Sequence, residues 1–143
     1  MMKRTIWILL ALLTIVLVGC GGQTAPAPAA EAPQEIDVAT LGPDVDVQTV
    51  AAVKDRDDVF IIDVREQWEY DEGHIPDITL IPMNEIPNRL DEIPTDKEVI
   101  VTCRSGNRSG QVTDYLRDRG FTNIHNMTGG ILEWEAAGLP VEK

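Results

Sequence analysis

Val99-Ile100-Val101-Thr102-Cys103-Arg104-Ser105-Gly106-Asn107-Arg108-Ser109 runs from an apolar stretch into the start of a helical pattern. The β-branched residues before Cys103 read as a strand buried on both faces. From Asn107 to Arg119, Val112, Tyr115 and Leu116 fall on one helix face, and Gly120 supplies the stop. A buried strand passing through a short polar loop into a helix is a unit of an α/β fold. Cys103 then stands at the carboxyl end of its strand, where open α/β sheets bind ligands.

The loop has the composition of a thiolate site. A free thiol has a pKa of about 8.5, and a helix N-terminus or nearby arginine brings it to roughly 3.5–7.5. Arg104 and Arg108 supply the charge, and the helix directs unpaired N–H groups back toward the cysteine. Gly106 permits the positive φ that lets successive N–H groups converge as an anion nest. Ser105, Asn107 and Ser109 are placed to orient the loop or to cap the helix. This arrangement points to chemistry on sulfur or on a small oxyanion.

Outward from the loop, Val59 to Val64 and Glu98 to Thr102 are the two strong strands, with Thr79 to Ile81 and Asn123 to Asn126 as weaker ones. Helical patterns lie between them: Val47 to Lys54 capped by Asp46, Glu66 to Asp71, and Asn84 to Leu90 bounded by Pro82 and Pro94. The alternation predicts a mostly parallel sheet with helices on both faces. Asp63-Val64-Arg65 occupies the end of the other strong strand, so two polar clusters sit at two strand ends.

The amino-terminal residues read differently. Lys3 and Arg4 precede an uncharged apolar run, Thr5 to Val18, that falls short of the roughly 20 residues of a membrane span and fits a secretory signal. Leu17-Val18-Gly19-Cys20 resembles the bacterial lipobox. This predicts a signal peptide over 1–19, lipid on Cys20, and an extracytoplasmic protein held at a membrane by that anchor, on the periplasmic side or at the cell surface. Residues 20–43 then form a flexible linker, with Pro26 and Pro28 in a segment lacking apolar periodicity. A Pro-rich tether of this kind extends about 3.1 Å per residue. Residues 44–143 suffice for one domain.

The chain carries 12 basic and 24 acidic residues, and without Lys3 and Arg4 the balance becomes −14. Such a domain is repelled by nucleic acid and by anionic head groups, so nucleic-acid binding is excluded and only the lipid holds the chain at the membrane. With Cys20 lipidated, Cys103 is the one free thiol of the mature chain, which excludes an intramolecular disulfide. An exported thiol is open to oxidation, so a redox partner protein is expected.

Cys103-Arg104-Ser105-Gly106-Asn107-Arg108-Ser109 resembles the active-site loop of single-domain rhodaneses. Asp63-Val64-Arg65-Glu66 followed by Glu72-Gly73-His74-Ile75-Pro76 is similar to that family's first signature, and Gly129-Gly130-Ile131-Leu132-Glu133-Trp134 to its closing segment. The resemblance covers about Val45 to Val141. It implies a rhodanese-like α/β fold with a central five-stranded sheet. It also implies a sulfurtransferase activity, in which sulfane sulfur passes from a donor such as thiosulfate to cyanide or a thiol. On this resemblance Cys103 is the persulfide-forming nucleophile. Arg104, Ser105, Gly106, Asn107 and Arg108 bind the transferred sulfur and the anionic donor, while Asp63, Arg65 and Ser109 support the loop. No cofactor is implied. One departure is visible: the family's usual Gly-Ala after His-Ile-Pro is Asp77-Ile78 here, which predicts a differently shaped turn.

Two other chemistries compete. A persulfide carrier or sulfide-binding module would use the same cysteine and deliver sulfur to a partner without turnover. A cysteine phosphatase or arsenate reductase needs five residues between cysteine and arginine, whereas four separate Cys103 from Arg108. The smaller cradle suits a single sulfur. His74 and His125 lack metal-ligand spacing, so no metal site is expected. His74 reads as a hydrogen-bonding turn residue and His125 as a strand-end residue. Trp68 and Trp134 read as packing residues, and Asp55 to Asp58 as a solvated turn. The acceptor patterns at Asn107 and Asn126 read as chance matches to a glycosylation signal.

Overall fold

The computed structural model describes residues 35–143. The signal segment and Cys20 lie outside them. Five strands, β1 (Asp44–Val45), β2 (Val59–Asp63), β3 (Thr79–Leu80), β4 (Glu98–Thr102) and β5 (Ile124–Met127), form one sheet in the order β1-β5-β4-β2-β3. Every strand pairing is parallel. The helices are α1 (Val47–Val53), α2 (Gln67–Glu72), α3 (Asn107–Arg117) and α4 (Gly130–Ala136).

Burial on both faces follows from strand alternation. Val59, Ile61 and Ile100 point into one core with Val47 and Val50 of α1 and Ile131 and Trp134 of α4. Ile62, Val64, Val99 and Val101 point into the other, with Val112 and Leu116 of α3. Cys103, one step past β4, shares this second face and therefore lies under α3.

Helix ends follow local chemistry. Asp46 caps α1 by accepting the Thr49 N–H at 2.8 Å. Gly120, at φ 91°, ends α3, and the Phe121 N–H closes back on the Leu116 carbonyl. Asn84 to Leu90 is not an α-helix. It folds as 3₁₀ turns at Ile86–Asn88 and Leu90–Glu92. Pro87 has no N–H with which to extend an α-helical ladder, and buried Ile86 pins the turn to the core.

Residues 20–34 lie outside the described residues, and the rest of the expected linker, 35–43, is described. Residues 35–43 belong to the folded unit, with Val38 buried and Ile36 and Leu41 packed against the α1–α4 core. Asp37 caps a 3₁₀ turn at Val38–Thr40, and Arg56 donates to the Ile36 carbonyl at 2.9 Å. These apolar side chains and backbone bonds tie down a stretch whose sequence has no extended periodicity. His125 contributes too: it lies within β5 rather than at its end, between the Gly42 carbonyl (2.6 Å) and Glu98 (2.8 Å).

The turn after Pro76 has a positive φ. Asp77 sits at φ 61°, the one described non-glycine residue in the left-handed region. Asp tolerates this region better than most side chains, so Asp77 accommodates the turn without a glycine.

Candidate active site

Cys103 is 1% exposed, its sulfur turned in under the first turn of α3. The Gly106 N–H donates to Sγ at 3.2 Å, and the Ser109 hydroxyl lies 3.4 Å away. Burial pushes the thiol up. The N–H groups of Ser109, Ser105 and Gly106, together with the Ser109 hydroxyl when its proton points to Sγ, outweigh it and hold the thiol below its ordinary value.

The loop's backbone explains this convergence. Gly106 is the N-cap of α3 at φ 91°, and no side chain caps the helix. The first-turn N–H groups therefore remain directed toward the sulfur. Of the two roles expected for Ser105 and Asn107, orienting the loop or capping the helix, capping is not what they do. The Asn107 carboxamide instead accepts from Gln111 on the exposed side at 2.8 Å. On the outside of the loop, the Cys103 carbonyl accepts from the Ile131 N–H at 2.9 Å and the Arg104 carbonyl from the Leu132 N–H at 3.1 Å. The start of α4 thus takes the carbonyls and leaves the loop's N–H side to the sulfur. Gly130 permits this contact, since a Cβ there would lie 2.4 Å from the Cys103 carbonyl oxygen.

Asp63 and Arg65 are both buried, and they act through α2 rather than on the cysteine loop. Arg65 Nε donates to Asp63 at 2.9 Å. Its terminal nitrogens donate to the carbonyls of Glu69 (3.1 Å) and Gly73 (2.9 Å). This fixes α2 so that the Glu69 carboxylate accepts two bonds of 2.6 Å from Arg108. The Arg108 guanidinium holds the Glu69 carboxyl down at about 2. Arg108, expected to attract the anionic donor, thus has both terminal nitrogens on Glu69. Arg104 has no such partner among the described residues. It lines a cleft of about 240 Å³ together with Trp68, Glu72, Ile131, Leu132 and Glu135.

Trp68 is 61% exposed at this cleft, so it is not a packing residue. It follows Arg65 on the first turn of α2, whose anchored geometry leaves that position outside. Trp134 does pack, with its indole N–H donating to the Pro140 carbonyl at 2.8 Å. His74 bonds the Tyr70 carbonyl at 2.9 Å at the end of α2, as a turn residue should.

Three contributors escaped the sequence reading. Glu69 looked like one acid among many. Its only local signal is the spacing from Glu66, whose N–H its carboxylate accepts at 3.1 Å. Asn126 accepts from the Ser109 hydroxyl at 2.7 Å, and Asp44 accepts from the Asn126 amide at 2.9 Å. Both link elements far apart in the chain. Among the described residues, no group of His, Cys, Asp and Glu gathers as a metal site.

A sulfurtransferase of Allochromatium vinosum is 44% identical over 87 residues, covering 61% of this chain and 81% of that one. The thiosulfate sulfurtransferase GlpE of Pseudoalteromonas translucida is 35% identical over 83 residues, covering 58% and 79%. The crystal structure of a rhodanese-related protein from Thermoplasma volcanium superposes with a TM-score of 0.64 at 29% identity, covering 71% of this chain and 98% of that one. The rhodanese-like domain family matches residues 46–137. With its parallel sheet and its buried thiol under the amino-terminal turn of α3, the chain belongs to the rhodanese-like domain family.

Proposed function

We propose that this protein is a sulfurtransferase that carries sulfane sulfur on Cys103. The observation that carries this reading is the one-sided loop: N–H groups of Ser105, Gly106 and Ser109 act on the sulfur, while α4 occupies the outer carbonyls of Cys103 and Arg104. Such a nest stabilises a small, soft anion at the end of the cysteine side chain.

In the proposed cycle the Cys103 thiolate attacks the outer sulfur of a donor such as thiosulfate. The S–S bond of the donor breaks, sulfite departs with the electron pair, and Cys103 becomes a persulfide. A thiolate or cyanide then attacks the terminal sulfur, and the Cys103 thiolate is released. Oxidation states balance within the exchange, so no external oxidant enters. Arg104 is the cation that meets the donor. Arg108, through Glu69, secures the first turn of α3 on which the N–H groups depend.

The rim of the cleft supports a second reading. Trp68 and Leu132 are exposed apolar side chains beside Arg104, a surface suited to a protein that collects the sulfur directly. In that case the protein is a persulfide carrier.

Exposure of the full chain to thiosulfate, followed by intact mass, is expected to add one sulfur atom at Cys103. Cys103→Ser should abolish both the adduct and thiocyanate formation with cyanide. Turnover surviving that substitution would sink the assignment. An adduct without turnover on cyanide or small thiols would select the carrier.

A further inference from the structure

Ser109 has one hydroxyl proton and two neighbours that could receive it, the Cys103 sulfur at 3.4 Å and the Asn126 carboxamide oxygen at 2.7 Å. Which one receives it depends on how the Asn126 amide is turned. Asp44 settles that point. Its carboxylate only accepts, it pairs with Asn126 across β1 and β5, and it takes the Asn126 NH₂ at 2.9 Å. A flipped amide would set two oxygens against each other. Asn126 Oδ1 is therefore held facing Ser109, at the shorter distance.

We propose that Asp44 and Asn126 are positioning residues that turn the Ser109 hydroxyl away from Cys103 and so favour the unloaded cysteine as a thiol. With the hydroxyl proton on Asn126, the free lone pairs of Ser109 Oγ face Sγ and accept the S–H of the thiol. A thiolate presents charge to those lone pairs instead. To stabilise it, the Ser109 hydroxyl must rotate to Sγ and leave Asn126 Oδ1 without its donor. Ser109 is fully buried and Asn126 is 8% exposed, so water compensates poorly. A persulfide escapes this conflict, because its charge sits on the outer sulfur, among the loop N–H groups, and Sγ itself is neutral.

The other charged groups around the site are already engaged or lie on the loop. Arg108 of α3 is clasped by Glu69 of α2, Asp63 at the end of β2 is paired with Arg65, and Arg104 follows Cys103 directly. The relay from Asp44 is thus the contact through which a distant edge strand reaches the sulfur. Its consequence for sulfur loading rests on the proposed function, but its effect on the thiol does not.

The test is the pH dependence of iodoacetamide alkylation at Cys103 in the full chain, followed by mass analysis of the Cys103 peptide so that Cys20 does not contribute. Asn126→Ala frees the Ser109 hydroxyl for Sγ. The alkylation midpoint should then fall by about one pH unit, roughly a tenfold rise in thiolate well below the midpoint. Asp44→Ala, at an exposed edge position, should move it in the same direction while leaving the interior intact. In a Ser109→Ala background neither substitution should shift it further. A midpoint that stays or rises in Asp44→Ala, or one that falls equally without the Ser109 hydroxyl, overturns the relay. If the midpoint shifts as expected but no donor loads sulfur, the proposed function fails and the relay stands.

Discussion

Arg108 and Glu69 join α3 to α2 through two parallel bonds of 2.6 Å, with Glu69 almost wholly buried and Arg108 partly open to solvent. The pairing relates two motifs that lie far apart in sequence. It gives Arg108 of the cysteine loop a mechanical role, because both terminal nitrogens of its guanidinium hold Glu69.

The pairing sets a pH dependence with a definite sign. The Glu69 carboxyl lies at about 2 in the folded protein against 4.5 for the ordinary group. A depressed folded-state value contributes stability that is present above 4.5 and lost as pH falls toward 2. Glu69→Gln should lower unfolding free energy at neutral pH by about 1–2 kcal/mol. It should also flatten the acid limb of the stability curve over that interval. Denaturant titrations of both proteins across pH check this, and an unchanged acid limb would show that the clasp does not couple to folding.

Asp77 offers a test of backbone strain. A left-handed conformation costs roughly 1–2 kcal/mol for ordinary residues and less for Asp, and glycine avoids the steric part of it. Asp77→Gly should therefore raise stability by about 0.5 kcal/mol, and Asp77→Ala should lower it by about the same amount. Thermal unfolding of the pair reads the difference directly. Equal stabilities would mean that the turn relaxes when its side chain changes.

What was legible in the sequence follows from how far each signal reaches along the chain. The buried runs at β2 and β4, the Asp46 cap and the Gly120 stop are local patterns, and each appears where its residues indicate. The cysteine loop is local too, so its nest was readable from Gly106 and the helix behind it. β1 is only two residues long and exists because Asp44 and Val45 meet Asn126 and Met127. α4 begins at Gly129 and Gly130 with no capping side chain. Trp68 and Trp134 are the same residue type, and only the tertiary arrangement puts one on a cleft and the other in the core. Glu69, Asn126 and Asp44 act on the site from other elements, and no spacing within the chain announces such contacts.

The amino-terminal expectation has its own test. If Cys20 carries the lipid, Cys20→Ala should shift the chain from the membrane fraction to the soluble fraction of the expressing bacterium. Metabolic labelling with a fatty acid should be lost in the same variant. Full membrane retention of the variant would identify the apolar segment Thr5 to Val18 as the anchor instead.

Gly130 provides the sharpest separation between the loop's backbone and its side chains. Its φ is 58°, and an added Cβ would lie 2.4 Å from the Cys103 carbonyl oxygen and 2.5 Å from the Arg104 carbonyl carbon. Both neighbours are backbone, so neither can swing aside as a flexible side chain would. Gly130→Ala must push α4 away from the loop, weakening the bonds from Ile131 and Leu132 that hold the two carbonyls outward. We expect a loss of more than about 2 kcal/mol from the combined overlap and left-handed strain. We also expect loss of sulfur loading, although Cys103 and both arginines are unchanged. Gly138→Ala, also at positive φ (71°) but with no atom within 4 Å of the added Cβ, controls for left-handed strain alone and should cost only about 1 kcal/mol. Intact mass after thiosulfate treatment, read alongside denaturant midpoints, tests the pair. Undiminished sulfur loading in a folded Gly130→Ala protein would show that the α4 contact does not orient the nest.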